Sequence, residues 1–280
     1  MSLEINSSNY YNQSANVTLY HPTGNTVTYT NATQTNLGTQ TIPYSYTGSP
    51  ETLEYGVFSF NFTGSSKTCI INQQTPPDGD GNRYKIIKIG NQVWMSENLR
   101  TKKFQDGTPL SNSAEVPNVT WADASAGGST KYWALVNGTT ENTQTYGLVY
   151  NQFAVTGSTT GATANNNLCP SGYHVPTDAE FTTLNMGLGG SNPSGGGTVG
   201  TKMKSTTLWS SSGNGTNSSG FNGLPPGDRF TDGSWGFFSF FGNFWTTSSG
   251  SYWYLNYFGT TFDQSTNSSL LGFSVRCLRN

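Results

Sequence analysis

The sequence predicts two domains, an all-β sandwich over residues 1–75 and an α+β domain with an antiparallel sheet over residues 76–280. Three observations carry that division. Residues 4–75 hold short runs in which β-branched and aromatic side chains alternate or cluster. Thr75-Pro76-Pro77-Asp78-Gly79-Asp80-Gly81 then interrupts the pattern with two stiff prolines and a tight turn. Beyond it, strand patterns and one helix pattern segregate instead of alternating, as in α+β folds.

In the first domain, Asn16–Tyr20, Thr26–Thr30, Thr41–Tyr46, Gly56–Phe62 and Lys67–Asn72 read as strands separated by Gly, Pro and Asn turns. Short strands at that spacing suggest a sandwich. Gly56-Val57-Phe58-Ser59-Phe60, followed by Gly64 and Lys67-Thr68-Cys69, resembles the last hairpin of immunoglobulin-like modules of bacterial surface proteins. The resemblance implies an immunoglobulin-like sandwich.

The second domain opens on Asp78, Asp80 and Asn82, which mimic the start of a calcium loop. No acidic residue stands where the closing bidentate ligand belongs, so the stretch reads as a bare turn. Tyr84–Ile89 and Gln92–Met95 flank Gly90-Asn91 and predict a hairpin. Tyr146–Val155 is apolar enough to be buried, as a strand or a short helix. At Thr177, a capping residue stands three before Glu180, and Phe181, Leu184 and Leu188 follow on one face. That pattern predicts a helix ending between Gly187 and Gly190. Ser191–Gly197 and Ser210–Gly220, rich in Ser and Gly, read as mobile loops.

Composition excludes several functions. Formal charge is −2 and 10% of residues are charged, so no basic stripe exists to neutralise phosphates and nucleic acid is not an expected partner. No apolar run is long enough to span a bilayer, and Met1-Ser2-Leu3 leads into polar sequence without a signal peptide. Of three cysteines, Cys69, Cys169 and Cys277, the last two fall in one domain and form the favoured pair. Two separate buried thiols are the alternative.

Function points to the stretch from Pro225 to Arg279. Aromatic rings alternate there with Ser, Thr, Asn and Gly almost without charge, the composition of binding surfaces. Strand alternation assigns Trp245 and Leu255 to the core and Tyr252, Tyr254 and Asn256 outward.

The second domain resembles the Fibrobacter succinogenes major paralogous domain of bacterial and phage surface proteins. The matching residues include Ile89-Gly-Asn-Gln-Val-Trp-Met95, Tyr146-Gly-Leu-Val-Tyr-Asn151, Cys169-Pro-Ser-Gly-Tyr-His-Val-Pro-Thr177, Gly220-Phe-Asn-Gly-Leu-Pro225 and Gly272-Phe-Ser-Val-Arg-Cys277. The resemblance implies a C-type-lectin-like fold and favours a Cys169–Cys277 bridge. It also implies a tie to diversity-generating retroelements, whose adenine-directed mutagenesis varies Asn-type codons. On that reading Trp235, Trp245, Trp253 and Gln264 are framework. Phe237, Phe238, Phe240, Phe241, Asn243, Tyr252, Tyr254, Asn256, Tyr257 and Phe258 are candidate ligand contacts.

An enzyme reading finds little to stand on. The histidines, His21 and His174, lie in different domains, and no Gly-x-Ser-x-Gly elbow surrounds a serine. Glu115-Val116-Pro117-Asn118 breaks the calcium-lectin pattern. The sequence therefore predicts a non-enzymatic adhesion protein of a cell surface or phage tail fibre, without cofactor or metal, that binds a surface protein or glycan of another cell or host. The alternative is a structural fibre component that uses the same patch for self-assembly.

Overall fold

A computed structural model describes residues 74–110, 121, 130–156 and 167–280 with their side chains, and the backbone of six strands within residues 2–70. The chain divides into two compact units, Met1–Gln73 and Gln74–Asn280. The division falls two residues before the expected one. Thr75 accounts for that shift: its amide donates to the Tyr84 carbonyl at 2.9 Å and its hydroxyl accepts from the Tyr84 amide at 3.2 Å.

The first unit contains β1 (Ser2–Ser7), β2 (Ser14–Tyr20), β3 (Thr26–Thr33), β4 (Gly38–Pro43), β5 (Val57–Phe62) and β6 (Ser65–Ile70). β1 pairs with β4, and the others form an antiparallel sheet in the order β3-β2-β5-β6. The strand β1 was not expected, because Leu3 and Ile5 alone give too short a pattern. Tyr44–Tyr46 and Ile71–Asn72, expected as strand ends, lie outside the described residues.

The second unit starts from the expected hairpin, β7 (Ile86–Ile89) and β8 (Gln92–Met95), with Gly90 at φ +59° in the turn. β9 (Trp133–Leu135) precedes α1 (Thr143–Tyr146) and pairs with β10 (Leu148–Tyr150), which leads into α2 (Gln152–Thr156). The apolar stretch Tyr146–Val155 is thus strand and helix in succession. β11 (Tyr173–His174) is followed by α3 (Asp178–Gly187). The Thr177 hydroxyl accepts from the Glu180 amide while the Glu180 carboxylate accepts from the Thr177 amide, a complete capping box. α4 (Val199–Met203), β12 (Asp228–Arg229), β13 (Trp235–Gly236), β14 (Phe241–Trp245), β15 (Ser251–Asn256), β16 (Asp263–Thr266) and β17 (Leu278–Arg279) complete the unit.

β17 inserts beside the first hairpin, giving the antiparallel order β11-β17-β8-β7 with Leu278 opposite Trp94. Cys169 and Cys277 are bonded just before it, with Cα atoms 5.9 Å apart. Arg276, fully buried, holds three distant segments together. Its Nε donates to Asn98 Oδ1 at 2.7 Å, and its remaining nitrogens donate to the carbonyls of Met95, Phe221 and Asn222. The guanidinium also lies 4.5 Å from the Phe221 ring centroid. Burial draws its pKa down to about 9, yet the planar fork remains charged at neutral pH.

Neither Gly-rich loop is loose. Asn185 Nδ2 donates to the Ser191 and Gly195 carbonyls, and the Gly195 amide donates to Phe262. In the second loop, Asn214 Oδ1 caps the Trp209 amide and Asn217 Oδ1 caps the Asn222 amide, while the Gly215 and Asn217 amides donate to Ser205 and Lys204. Asn side chains that terminate local backbone groups stiffen what composition alone reads as floppy.

Candidate ligand-binding face

The aromatic tract folds into the antiparallel sheet β14-β15-β16. Register puts Trp245 opposite Tyr252, Asn243 opposite Tyr254, and Tyr254 opposite Asp263, so all five side chains share one face. Phe244, Trp253 and Leu255 point the other way and are buried with Trp94, Phe181 and Phe262. The first face is not simply outward. Trp245 and Tyr252 pack against Phe273, their ring centroids 4.5 and 4.7 Å from its own, at the margin of a second core. The tract's sheet is therefore clamped between two cores.

That placement sorts the expected contacts. Asn243 and Asn256 are 3% and 6% exposed and do internal work. Asn243 Nδ2 donates to Asp228, and Asn256 Oδ1 accepts from the Gly259 amide and shapes the turn after β15. The alternation that sent Asn256 outward fixed its face but not its depth. Phe238, Phe240, Phe241, Tyr252, Tyr254 and Tyr257 are half-buried, while Phe237 and Phe258 are 52% and 72% exposed.

The half-buried rings connect the exposed ones to the interior. Phe230, Phe237, Phe241, Tyr254 and Tyr252 form a ladder with successive centroids 5.7, 5.2, 6.4 and 6.0 Å apart. Phe240 and Tyr257 meet edge-on at 4.9 Å, and Tyr257 meets Phe258 edge-on at 5.1 Å. Offset and edge-to-face contacts are the favourable ring geometries. They hold large apolar side chains stiffly at the surface.

The loop bearing Phe237 is strained. Phe237 has φ +58° and Ser239 φ +65°, a region that costs an aromatic residue about 1 kcal/mol or more. The loop keeps this shape because the Phe240 and Phe241 amides donate to the Phe237 carbonyl and Ser239 bonds Pro225 and Ser210. Gly227 passes so close that a Cβ there would collide with the Gly236 carbonyl and the Phe238 amide. Leu208, φ +78° and 42% exposed, adds an apolar side chain from the neighbouring loop, which composition did not single out.

A buried cation holds the second exposed ring. Lys204, 3% exposed, sends Nζ to the carbonyls of Asn256 at 3.0 Å, Gly259 at 2.9 Å and Tyr257 at 3.5 Å, the turn that presents Phe258. Burial lowers its pKa from the ordinary lysine value. No local pattern announces this role, because the carbonyls come from far along the chain. Arg276 was more visible, as a lone cation in the otherwise uncharged Gly272–Leu278.

Asp228 lies beneath the ladder, and burial pushes its carboxyl up to about 7 although the Asn243 hydrogen bond opposes the shift. His174 bridges Asn280 Oδ1 at 2.7 Å and Glu180 Oε1 at 2.8 Å, an anchoring arrangement at the helix start. Partial burial alone would raise the Glu180 carboxyl, but bonds from the Thr177 amide and His174 hold it below its ordinary value. Asp78 accepts from the Asp80 and Asn82 amides at 2.9 Å each and from Tyr84 Oη, which makes it the organiser of a turn. Among the described residues no cluster of His, Cys, Asp and Glu could hold a metal ion.

The geometry defines a β-rich module with a stiff, strained aromatic face on a disulfide-closed frame. The Fibrobacter succinogenes major domain model matches residues 87–279, and the chain belongs to that family. No curated protein and no solved structure matches the chain.

Proposed function

We propose that this protein is a non-enzymatic binding protein of a cell surface or fibre tip, whose aromatic face takes up a protein or glycan displayed by another cell or host. In this reading the second unit is a C-type-lectin-like head and the first an immunoglobulin-like sandwich that carries it. Phe237 supports the reading most directly. Its ring stands more than half in solvent on a backbone held in an unfavourable conformation by several hydrogen bonds, strain that packing alone does not require. Diversification by a retroelement fits the same face, with Phe237, Phe258 and the half-buried rings as varied positions. Asn243 and Asn256 join the framework because of their internal bonds. A reverse-transcriptase gene and an adenine-rich template repeat beside the coding sequence are the expected genomic mark.

The pair Phe237→Gly and Phe258→Ser tests the reading. Glycine suits the left-handed backbone and both side chains are largely exposed, so the Tm is expected to stay within about 3 °C. Binding in a screen against immobilised glycans and bacterial surface proteins is expected to vanish. A parent protein that binds nothing in the screen, or a variant that binds as well as the parent, overturns the proposal. Association of the parent that the variant abolishes, measured by light scattering, would assign the face to self-assembly instead.

A further inference from the structure

The charges around the aromatic face are distributed unevenly. From Phe230 to Val275 the chain carries two ionisable acids, Asp232 and Asp263, and no lysine or arginine. The cations that border this stretch turn inward. Lys204, Arg229 and Arg276 are 3%, 1% and 0% exposed. Lys204 and Arg276 are spent on backbone carbonyls, and the Arg229 guanidinium lies between Trp121 and Trp235, 5.1 and 5.2 Å from their centroids. Lys202, half-buried, gives its ammonium to the Leu188 carbonyl at 2.6 Å.

The carboxylates, in contrast, sit beside the ring ladder, one near its Phe230 end and one next to Tyr254. Asp232 is exposed on the turn that carries Phe230, its Oδ1 oriented by the Ser234 amide and hydroxyl at 2.9 and 2.6 Å. Asp263 is the cross-strand neighbour of Tyr254, half-exposed, with Oδ2 held by the Thr261 hydroxyl at 2.5 Å. Burying cations while displaying oriented anions beside ring faces makes a surface complementary to positive charge. Aromatic faces attract ammonium and guanidinium groups as well, and accept their methylene stems.

Resting on the binding role proposed above, we propose that the partner is a protein or peptide segment rich in Lys or Arg, whose stems cross the ring ladder and whose cationic heads reach Asp232 and Asp263. A neutral glycan gains nothing from this charge pattern, and an acidic partner is repelled by it.

A fluorescein-labelled decapeptide of alternating Gly and Lys tests the idea by anisotropy, with the Gly-Glu peptide as its opposite. The parent is expected to bind the basic peptide saturably, less tightly as salt rises, and not to bind the acidic one. The double variant Asp232→Asn with Asp263→Asn should lose about tenfold in affinity. Asp106→Asn, a change at an exposed acid in another loop, should lose none. Equal binding of the two peptides, or full affinity in the double variant, overturns the inference. If the aromatic variant Phe237→Gly with Phe258→Ser abolishes capture of a ligand from the surface-protein and glycan screen while the double carboxylate variant captures it undiminished, the face binds and only its charge preference is wrong. If neither variant changes anything, the binding role falls with it.

Discussion

Lys204→Met isolates how firmly the Phe258 turn is held. Methionine keeps the length and apolar stem of the lysine, so packing against Trp209, whose ring centroid lies 5.3 Å from Nζ, is largely retained. What disappears is the donor to three carbonyls, of which Asn256 at 3.0 Å and Gly259 at 2.9 Å are well placed and Tyr257 at 3.5 Å is marginal. Each buried carbonyl left without a donor costs about 1–3 kcal/mol. Relief from burying an ammonium offsets part of this, which leaves a net loss of about 2–4 kcal/mol. For a unit of this size that corresponds to about 5–15 °C in Tm. Thermal unfolding followed by near-ultraviolet dichroism measures the global loss, and amide exchange at Tyr257, Phe258 and Gly259 measures the local one. Faster exchange there should accompany the lower Tm. A Tm within 1 °C of the parent with unchanged exchange at those amides would refute the idea that Lys204 sustains the turn.

Two further outcomes follow from the buried charges. Asp228, lifted by burial from 3.8 to about 7, keeps its proton in the folded unit over a range where the unfolded chain has released it. Stability therefore falls as pH rises from about 4 to 7, by at most about 4 kcal/mol. A protonated Asp228 also supplies a donor beside Asn243, whose Oδ1 finds none in the structure. Melting curves from pH 5 to 8 should show the decline in the parent and a flat profile in Asp228→Asn; a parent without the decline contradicts the assignment. The window starts at pH 5 because Glu180, held below its ordinary value, contributes stability that is lost as pH falls further. Arg276→Lys should cost about 3–5 kcal/mol in urea unfolding, since one ammonium cannot serve Asn98, Met95, Phe221 and Asn222 together. A loss under about 1 kcal/mol would mean that those acceptors find other donors.

Where signals were local, the sequence was readable. Gly90-Asn91 between two apolar runs is the β7–β8 hairpin, and Thr177 with Glu180 is the start of α3, because each signal and its partner lie within a few residues. Period-two alternation separated Leu255 from Tyr252 and Tyr254, which do lie on opposite faces of β15, while Trp245, also expected in the core, is buried on the same face as Tyr252. It failed for Asn256 because both faces of this sheet meet protein, so the side a residue faces no longer determines whether water reaches it. Lys204 was invisible for a related reason, since its carbonyl partners are more than fifty residues away. The loops at 191–197 and 210–220 misled because Gly and Ser report freedom in the unfolded chain, while Asn185, Asn214 and Asn217 decide what remains after folding.

The position of β17 sets a schedule for this molecule. Its Leu278 completes the pairing with Trp94 and its Arg279 sits opposite Tyr173. A ribosome has thus made nearly the whole second unit before the strand that joins its early hairpin to its middle exists. Until then β8 presents a bare edge to whatever else is in solution. The first sheet of this unit therefore closes late, since the β8 edge stays unpaired until the unit's final strand has been made.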